Sequence, residues 1–166
     1  GSATALDVSA RPALLASLVT TAMGQFFSPQ IAQALNARFT KSANMYCIKG
    51  GLLSGSWGLI AVGALALSGP AVFGKFFGSH YAYCWKISLI YCLAITINSF
   101  LSLFSVALIL DGAGYSVAVA NTLNLTCVST GVLMAAQDND LLHVAVGSLV
   151  GACVREGLIV TMYAYR

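Results

Sequence analysis

The stretch from Lys86 to Asp111, KISLIYCLAITINSFLSLFSVALILD, decides the fold: 24 uncharged residues lie between its two terminal charges. A helix crosses ~30 Å of hydrocarbon with about 20 apolar residues at 1.5 Å each, so this run is one crossing with a few residues to spare. Neither Ile87–Ile97 nor Leu101–Leu110 alternates in polarity, as the ~10-residue strands of a membrane barrel would. Within lipid every backbone N–H and C=O needs a partner in its own segment, which a helix supplies. Three further uncharged runs match it in size: 26 residues between Arg11 and Arg38, 25 between Lys49 and Lys75, and 26 between Asp111 and Asp138. A fifth extends from Asp140 to Tyr165, interrupted by Arg155 and Glu156 alone.

The whole chain agrees with this reading. Of 166 residues, 58% are hydrophobic and 8% charged, and the mean hydropathy is +0.85. Soluble domains carry roughly 25% charged residues, so a soluble enzyme, a disordered chain and a disulfide-stapled secreted module are all excluded. Eight Lys and Arg against five Asp and Glu leave +3, too little and too dispersed for an electrostatic footprint on nucleic acid. The expectation is an all-α, polytopic transmembrane helix bundle in contact with membrane lipids, with about five membrane-spanning helices at about 12–36, 47–74, 84–110, 114–136 and 141–165. Gly1-Ser2 resembles a cloning scar, residues 3–166 form a single transmembrane domain, and the chain is expected to be one piece of a longer protein.

Local signals set the ends. Pro12 suits a first-turn position, where its missing N–H costs nothing, and Pro29 should kink the first crossing or start its exit. Gly112 and Gly114, and Asp138-Asn139-Asp140, mark short turns. Longer connections are expected at Arg38–Asn44 and around Lys75–Tyr83, where Tyr81, Tyr83 and Trp85 suit the headgroup level. Arg38, Lys41, Lys49 and Arg166 share one side of the membrane, against Arg11, Lys75 and Lys86 on the other. The positive-inside rule counts basic residues and so places the first loop in the cytoplasm.

The polar residues within the crossings are the candidate site. Arg155 falls in the middle of the fifth crossing, where a lone arginine costs on the order of 2.5–3.5 kcal/mol by insertion scales. His143, Gly147, Gly151 and Arg155 recur every fourth residue on one slowly drifting face, and the two glycines leave room beside the guanidinium. Arg155 either lines a polar cavity and meets an anionic group such as phosphate, which suits its bidentate fork, or is neutralised by Glu156 or Asp111, or snorkels to water. Glu156 projects ~100° away on the helix, so their pairing is not given by adjacency. Asn98, and Asn121 with Asn124 on a shared face, either line a solvated path for sugar hydroxyls or form interhelical hydrogen bonds, worth ~0.6 kcal/mol on average. The pairs Gly51/Gly55 and Gly147/Gly151 are spaced for close helix approach. Lys49, Lys75 and Lys86 read as snorkelling anchors. The five cysteines have no metal-ligand spacing and read as small apolar fillers. No metal and no cofactor is expected.

Enzyme chemistry is not expected either. Around Ser54, Leu52 and Ser56 stand where a Gly-x-Ser-x-Gly elbow needs glycine, no H-E-x-x-H helix exists, and paired acids are missing from the crossings.

Three stretches in order carry a resemblance: Phe26-Phe27-Ser28-Pro29-Gln30-Ile31-Ala32, then Gly69-Pro70-Ala71-Val72-Phe73-Gly74-Lys75-Phe76-Phe77-Gly78-Ser79-His80-Tyr81-Ala82, then Leu110-Asp111-Gly112-Ala113-Gly114. Together they resemble the C-terminal lobe of the polysaccharide-export and lipid-linked oligosaccharide flippases of the multidrug/oligosaccharidyl-lipid/polysaccharide exporter superfamily. The resemblance implies the last five helices of a two-lobe, twelve-helix transporter of the cell inner (cytoplasmic) membrane, with the remaining lobe as partner. It also implies alternating access for a lipid-diphosphate-linked glycan, with Arg155 a phosphate contact and Asn98, Asn121 and Asn124 beside it. A small-molecule exporter of the same superfamily and a non-transporting membrane scaffold subunit stay open as alternatives. Common to all three is residence in lipid: the chain stays in the membrane pellet after a carbonate wash, and recovery as a folded monomer in detergent-free buffer overturns the reading.

Overall fold

A computed structural model describes residues 2–138 and 140–165. Gly1, Asn139 and Arg166 lie outside the described residues, and with them part of the expected scar, the middle of the Asp138-Asn139-Asp140 turn and one of the counted basic residues. Five helices form the chain: α1 (Ser2–Asn36), α2 (Thr40–Phe77), α3 (Cys84–Leu110), α4 (Gly114–Asp138) and α5 (Leu142–Ala164), with one 3-10 turn at Ser79–Tyr81. No strand occurs among the described residues. The all-α helix bundle expected from the charge spacing is present.

Four of the helices, α2 to α5, are long and apolar enough to cross a membrane, which makes the chain a multi-pass membrane protein. The expectation of five such runs is corrected at α1. At 35 residues α1 has ample length, but Asp7, Arg11, Gln25, Gln30 and Gln33 dilute its apolar character. It also begins well before residue 12. Arg11 and Asp7, one helical turn apart, are joined at 2.7 Å, so the charges sit within the helix instead of ending it. Pro12 therefore lies inside α1, not in its first turn, and Pro29 does not end the helix, which continues to Asn36.

The first loop is shorter than the Arg38–Asn44 connection expected. α1 closes with the Phe39 N–H on the Ala34 carbonyl at 2.8 Å and the Arg38 N–H on Leu35 at 2.9 Å. Arg38 takes the left-handed conformation (φ 58°) that glycine normally fills at a helix C-terminus, and α2 starts at once at Thr40. Gly112 (φ 83°) does the same job after α3, with the Ala113 N–H on the Leu108 carbonyl at 2.8 Å. Asp140 accepts the Leu142 N–H at 2.9 Å and so caps α5.

A break in α2 was not expected from the sequence. Gly69 leaves helical geometry (φ 66°, ψ 175°) immediately before Pro70, because proline disfavours helical φ/ψ in the residue ahead of it. The Leu65 carbonyl, one turn before the break, accepts the Trp85 indole N–H at 2.7 Å and the Ser68 hydroxyl at 2.8 Å. Trp85 thus does more than mark the headgroup level. It holds the kinked end of α2 against the start of α3.

Contacts across the bundle fix direction and register. The Cys84 thiol lies 3.8 Å from the Ala5 carbonyl and the Thr20 hydroxyl 2.5 Å from that of Ser99, each pair 79 residues apart, so α1 and α3 run parallel. α2 runs antiparallel to both, with Ser54 donating to the Ser99 carbonyl at 2.7 Å. α5 is parallel to α3, the Phe104 and Tyr163 rings meeting edge to face at 5.0 Å. α3 is therefore the axis: α1, α2 and α5 pack on it, whereas α4, though next in sequence, is held chiefly by α5.

The interior is built from small side chains and the outside from large ones. Ala43, Cys47, Ser54, Ser88, Ser99 and Ala107 are buried, while Leu14, Leu18, Leu52, Ile60, Leu67 and Leu125 are exposed. That inversion of a soluble core suits lipid, where close backbone approach replaces hydrophobic exclusion as the force between helices. A Cβ on Gly51 would run into the Phe100 carbonyl. On Gly131 it would meet the His143 carbonyl at 2.5 Å, and on Gly147 the Cys127 carbonyl at 2.8 Å. Both expected glycine pairs thus lie on close-packing faces, Gly51/Gly55 toward α3 and Gly147/Gly151 toward α4. At Gly63 nothing lies within 4 Å. Overpacking costs typically ~1–3 kcal/mol, so Gly131→Leu should lower the thermal midpoint in detergent, followed by circular dichroism, whereas Gly63→Leu should leave it unchanged.

Candidate functional site

A partly buried ionic cluster joins α3, α4 and α5. Arg155 on α5 is its centre. Its Nε–H donates to Asn121 Oδ1 on α4 at 2.6 Å, and Nη1 donates to Asn98 Oδ1 on α3 at 2.6 Å and to Glu156 Oε1. Nη2 makes a longer bond of 3.3 Å to the Ser105 hydroxyl. The Arg155 side chain is 15% exposed and that of Glu156 is 1% exposed. The two side chains start ~100° apart on the helix, so the long arginine stem must wrap back across its own helix to close the pair. Snorkelling and pairing with Asp111 are thereby answered. Arg155 stays at the level of its partners, and Asp111 lines a different cavity, with Thr40, Asn44 and Tyr163.

Beside the cluster lies a cavity of about 270 Å³ lined in part by Tyr91, Asn98, Asn124, Ser148 and Arg155. Because α3 and α4 barely touch, the cavity opens between them. Of the four residues singled out in the sequence, three are joined directly: Arg155, Asn98 and Asn121. Asn124 is next to them on the cavity wall, its side chain lying over Gly151. Asn121 does not line the cavity; it is exposed and holds Nε. Three buried side-chain atoms lack a hydrogen-bond partner among the described residues: Asn124 Oδ1 and Glu156 Oε2 at this site, and Ser88 Oγ elsewhere on α3. Unpaired buried polar atoms are rare and call for an explanation.

Ser105 is the member that sequence reading missed. It stands seven residues beyond Asn98 on α3, two turns along and on the same face, a spacing that could have found it. The glycines explain how the cluster is reached. Gly151, one turn before Arg155, lets the α4 backbone and the Asn124 side chain close onto α5, which brings Asn121 within reach of the guanidinium.

The five cysteines are free thiols, with Cys47, Cys84 and Cys92 buried as small fillers. Among the described residues no group of three or more His, Cys, Asp or Glu is placed to hold a metal ion. Chemically, the cluster can present one guanidinium, two amides and hydroxyls to an anionic or hydroxyl-rich group entering between α3 and α4.

No family model, curated protein or solved structure matches this chain. The residues themselves therefore carry the functional reading. Removing one partner of a buried ion pair costs about 3–5 kcal/mol, so Arg155→Ala should strongly lower stability in detergent. The doubly neutral variant Arg155→Gln/Glu156→Gln should recover most of that loss, as a double-mutant cycle of thermal midpoints would show.

Proposed function

We propose that this chain is part of a transporter of the cell inner (cytoplasmic) membrane that moves a lipid-linked oligosaccharide or polysaccharide precursor by alternating access. One observation carries the reading: a guanidinium held in mid-bundle by amides, at the wall of a cavity open between α3 and α4. Arginine's planar fork matches phosphate oxygens bidentately, and amide and hydroxyl groups suit sugar hydroxyls. A charge within the membrane region points to a substrate path or to a structural pair. Binding sites of transporters sit near the bilayer midplane where repeats or lobes meet, which is the level of Arg155 along α5. A lipid-linked substrate also suits a lateral opening, since its acyl chains can stay in the bilayer while the headgroup enters. The remaining lobe of the transporter would close the cavity from the other side.

A small-molecule exporter of the same superfamily is less well supported. Such a cavity would be more aromatic and acid-bearing, whereas Tyr91 is the one aromatic residue lining this one. A non-transporting scaffold subunit is the second reading, favoured by one observation: Arg155 has hydrogen-bond partners on all three helices, as a structural latch would.

Cells supply the test. With the full-length gene deleted, lipid-linked glycan should accumulate on the cytoplasmic face. The Arg155→Gln/Glu156→Gln variant should insert at wild-type levels yet fail to restore export. Normal export by the double variant removes Arg155 from the mechanism and favours the scaffold.

A further inference from the structure

We infer that an oxyanion enters the α3–α4–α5 cavity together with one proton, which is taken up by Glu156. The inference rests on the proposed anionic substrate and adds how its charge is compensated. Three observations meet at one place. Glu156 is 1% exposed and paired with Arg155 through Oε1. Its second oxygen, Oε2, has no hydrogen-bond partner among the described residues. Arg155, the pair's other half, is also a wall of the cavity.

Electroneutrality links them. With the cavity free of anion, the guanidinium and the carboxylate cancel. An oxyanion that docks on Arg155 competes with Glu156 for the same N–H donors and leaves an uncompensated negative charge in a low-dielectric interior, where such charge is heavily penalised. A proton on Glu156 cancels one unit of that charge. The carboxyl becomes neutral and releases its share of the guanidinium, with Oε2, the oxygen that has no partner among the described residues, free to carry the proton. Asn98 and Asn121 keep hold of Arg155 throughout, so the guanidinium stays in place while its counter-charge changes from carboxylate to ligand.

Among the described residues no other carboxyl, imidazole or amine lines the cavity. α5 packs on α3 and α4. From α3, Tyr91 reaches the cavity wall, with Asp111 further along at the helix end beside Tyr163. From α4, the amides Asn121 and Asn124 face the cluster, and Cys127 lines a separate cavity with His143. By linkage, anything that binds with a proton binds better where protons are plentiful, and the two ligands raise each other's affinity equally.

Calorimetry of the full-length protein in lipid nanodiscs, titrated with inorganic pyrophosphate in two buffers of different ionisation enthalpy, counts the protons taken up. After correction for the anion's own protonation, one proton should enter per anion bound. Affinity should fall about tenfold per pH unit where Glu156 starts ionised. Glu156→Gln should bind with no uptake and no pH dependence beyond that of the anion itself, and Arg155→Gln/Glu156→Gln should not bind. Should Glu156→Gln misfold, the wild-type proton count decides alone. Binding without uptake overturns the inference, as does wild-type uptake retained by Glu156→Gln, or no binding between pH 5 and 8. Proton-linked binding alongside normal export by Arg155→Gln/Glu156→Gln would refute the transport reading and leave this one standing.

Discussion

Hydrocarbon offers no hydrogen bonds, and most of this structure follows from that. Each polar group carried into the bilayer must find its partner within the protein. The hydroxyls of Thr96, Ser99, Thr122, Thr126 and Thr130 turn back to the carbonyl one turn earlier at 2.7–3.0 Å. Where Gly69 and Pro70 interrupt α2, the Leu65 carbonyl one turn earlier takes the indole of Trp85. Arg155, with the largest demand, recruits three helices. The same rule that makes each segment helical also decides which helices must touch.

Touching requires small residues. The faces turned inward carry glycine, alanine, serine and cysteine, so that backbones approach until carbonyls and Cα atoms nearly meet, as at Gly131 and Gly147. α3 bears most of this contact and is flanked by α1, α2 and α5. α4 is different. It leans chiefly on α5, and the gap it leaves beside α3 is the cavity at Arg155. A tightly packed trio and a loosely attached helix thus produce one opening, and the charged cluster sits at it.

For the proposed transport reading this arrangement has a consequence. A lone cation in the membrane would be costly, and a fully enclosed ion pair would bind nothing. Arg155 lies between those limits: paired with Glu156, steadied by two amides, and still a wall of the cavity. Differential interaction with a ligand, which any conformational change needs, can come from exchanging the carboxylate for an incoming oxyanion on a guanidinium that does not move.

How much of this was legible in the sequence depends on range. The intervals between charges gave the helix class and the approximate extents of α3, α4 and α5, because bilayer thickness is an external ruler that a linear chain can be measured against. Gly112 could be read as a turn, and the two glycine pairs as packing faces, from spacing alone. Other features were not legible locally. α1 runs past Pro12 and Pro29, since neighbouring helices and the Asp7–Arg11 pair sustain a helix that its prolines argue against. α2 breaks at Gly69, where the partner that makes the break tolerable, Trp85, lies in another helix. Asn98, Asn121, Asn124 and Arg155 could be picked out as polar residues in apolar runs, but not joined. Whether Arg155 faced Glu156, Asp111 or water depended on how α5 is rotated against α3 and α4, and that rotation is set by packing between helices far apart in the chain. Solvent, a property averaged along the sequence, was determined by composition; partnership, a property of which faces meet, was decided by the tertiary structure.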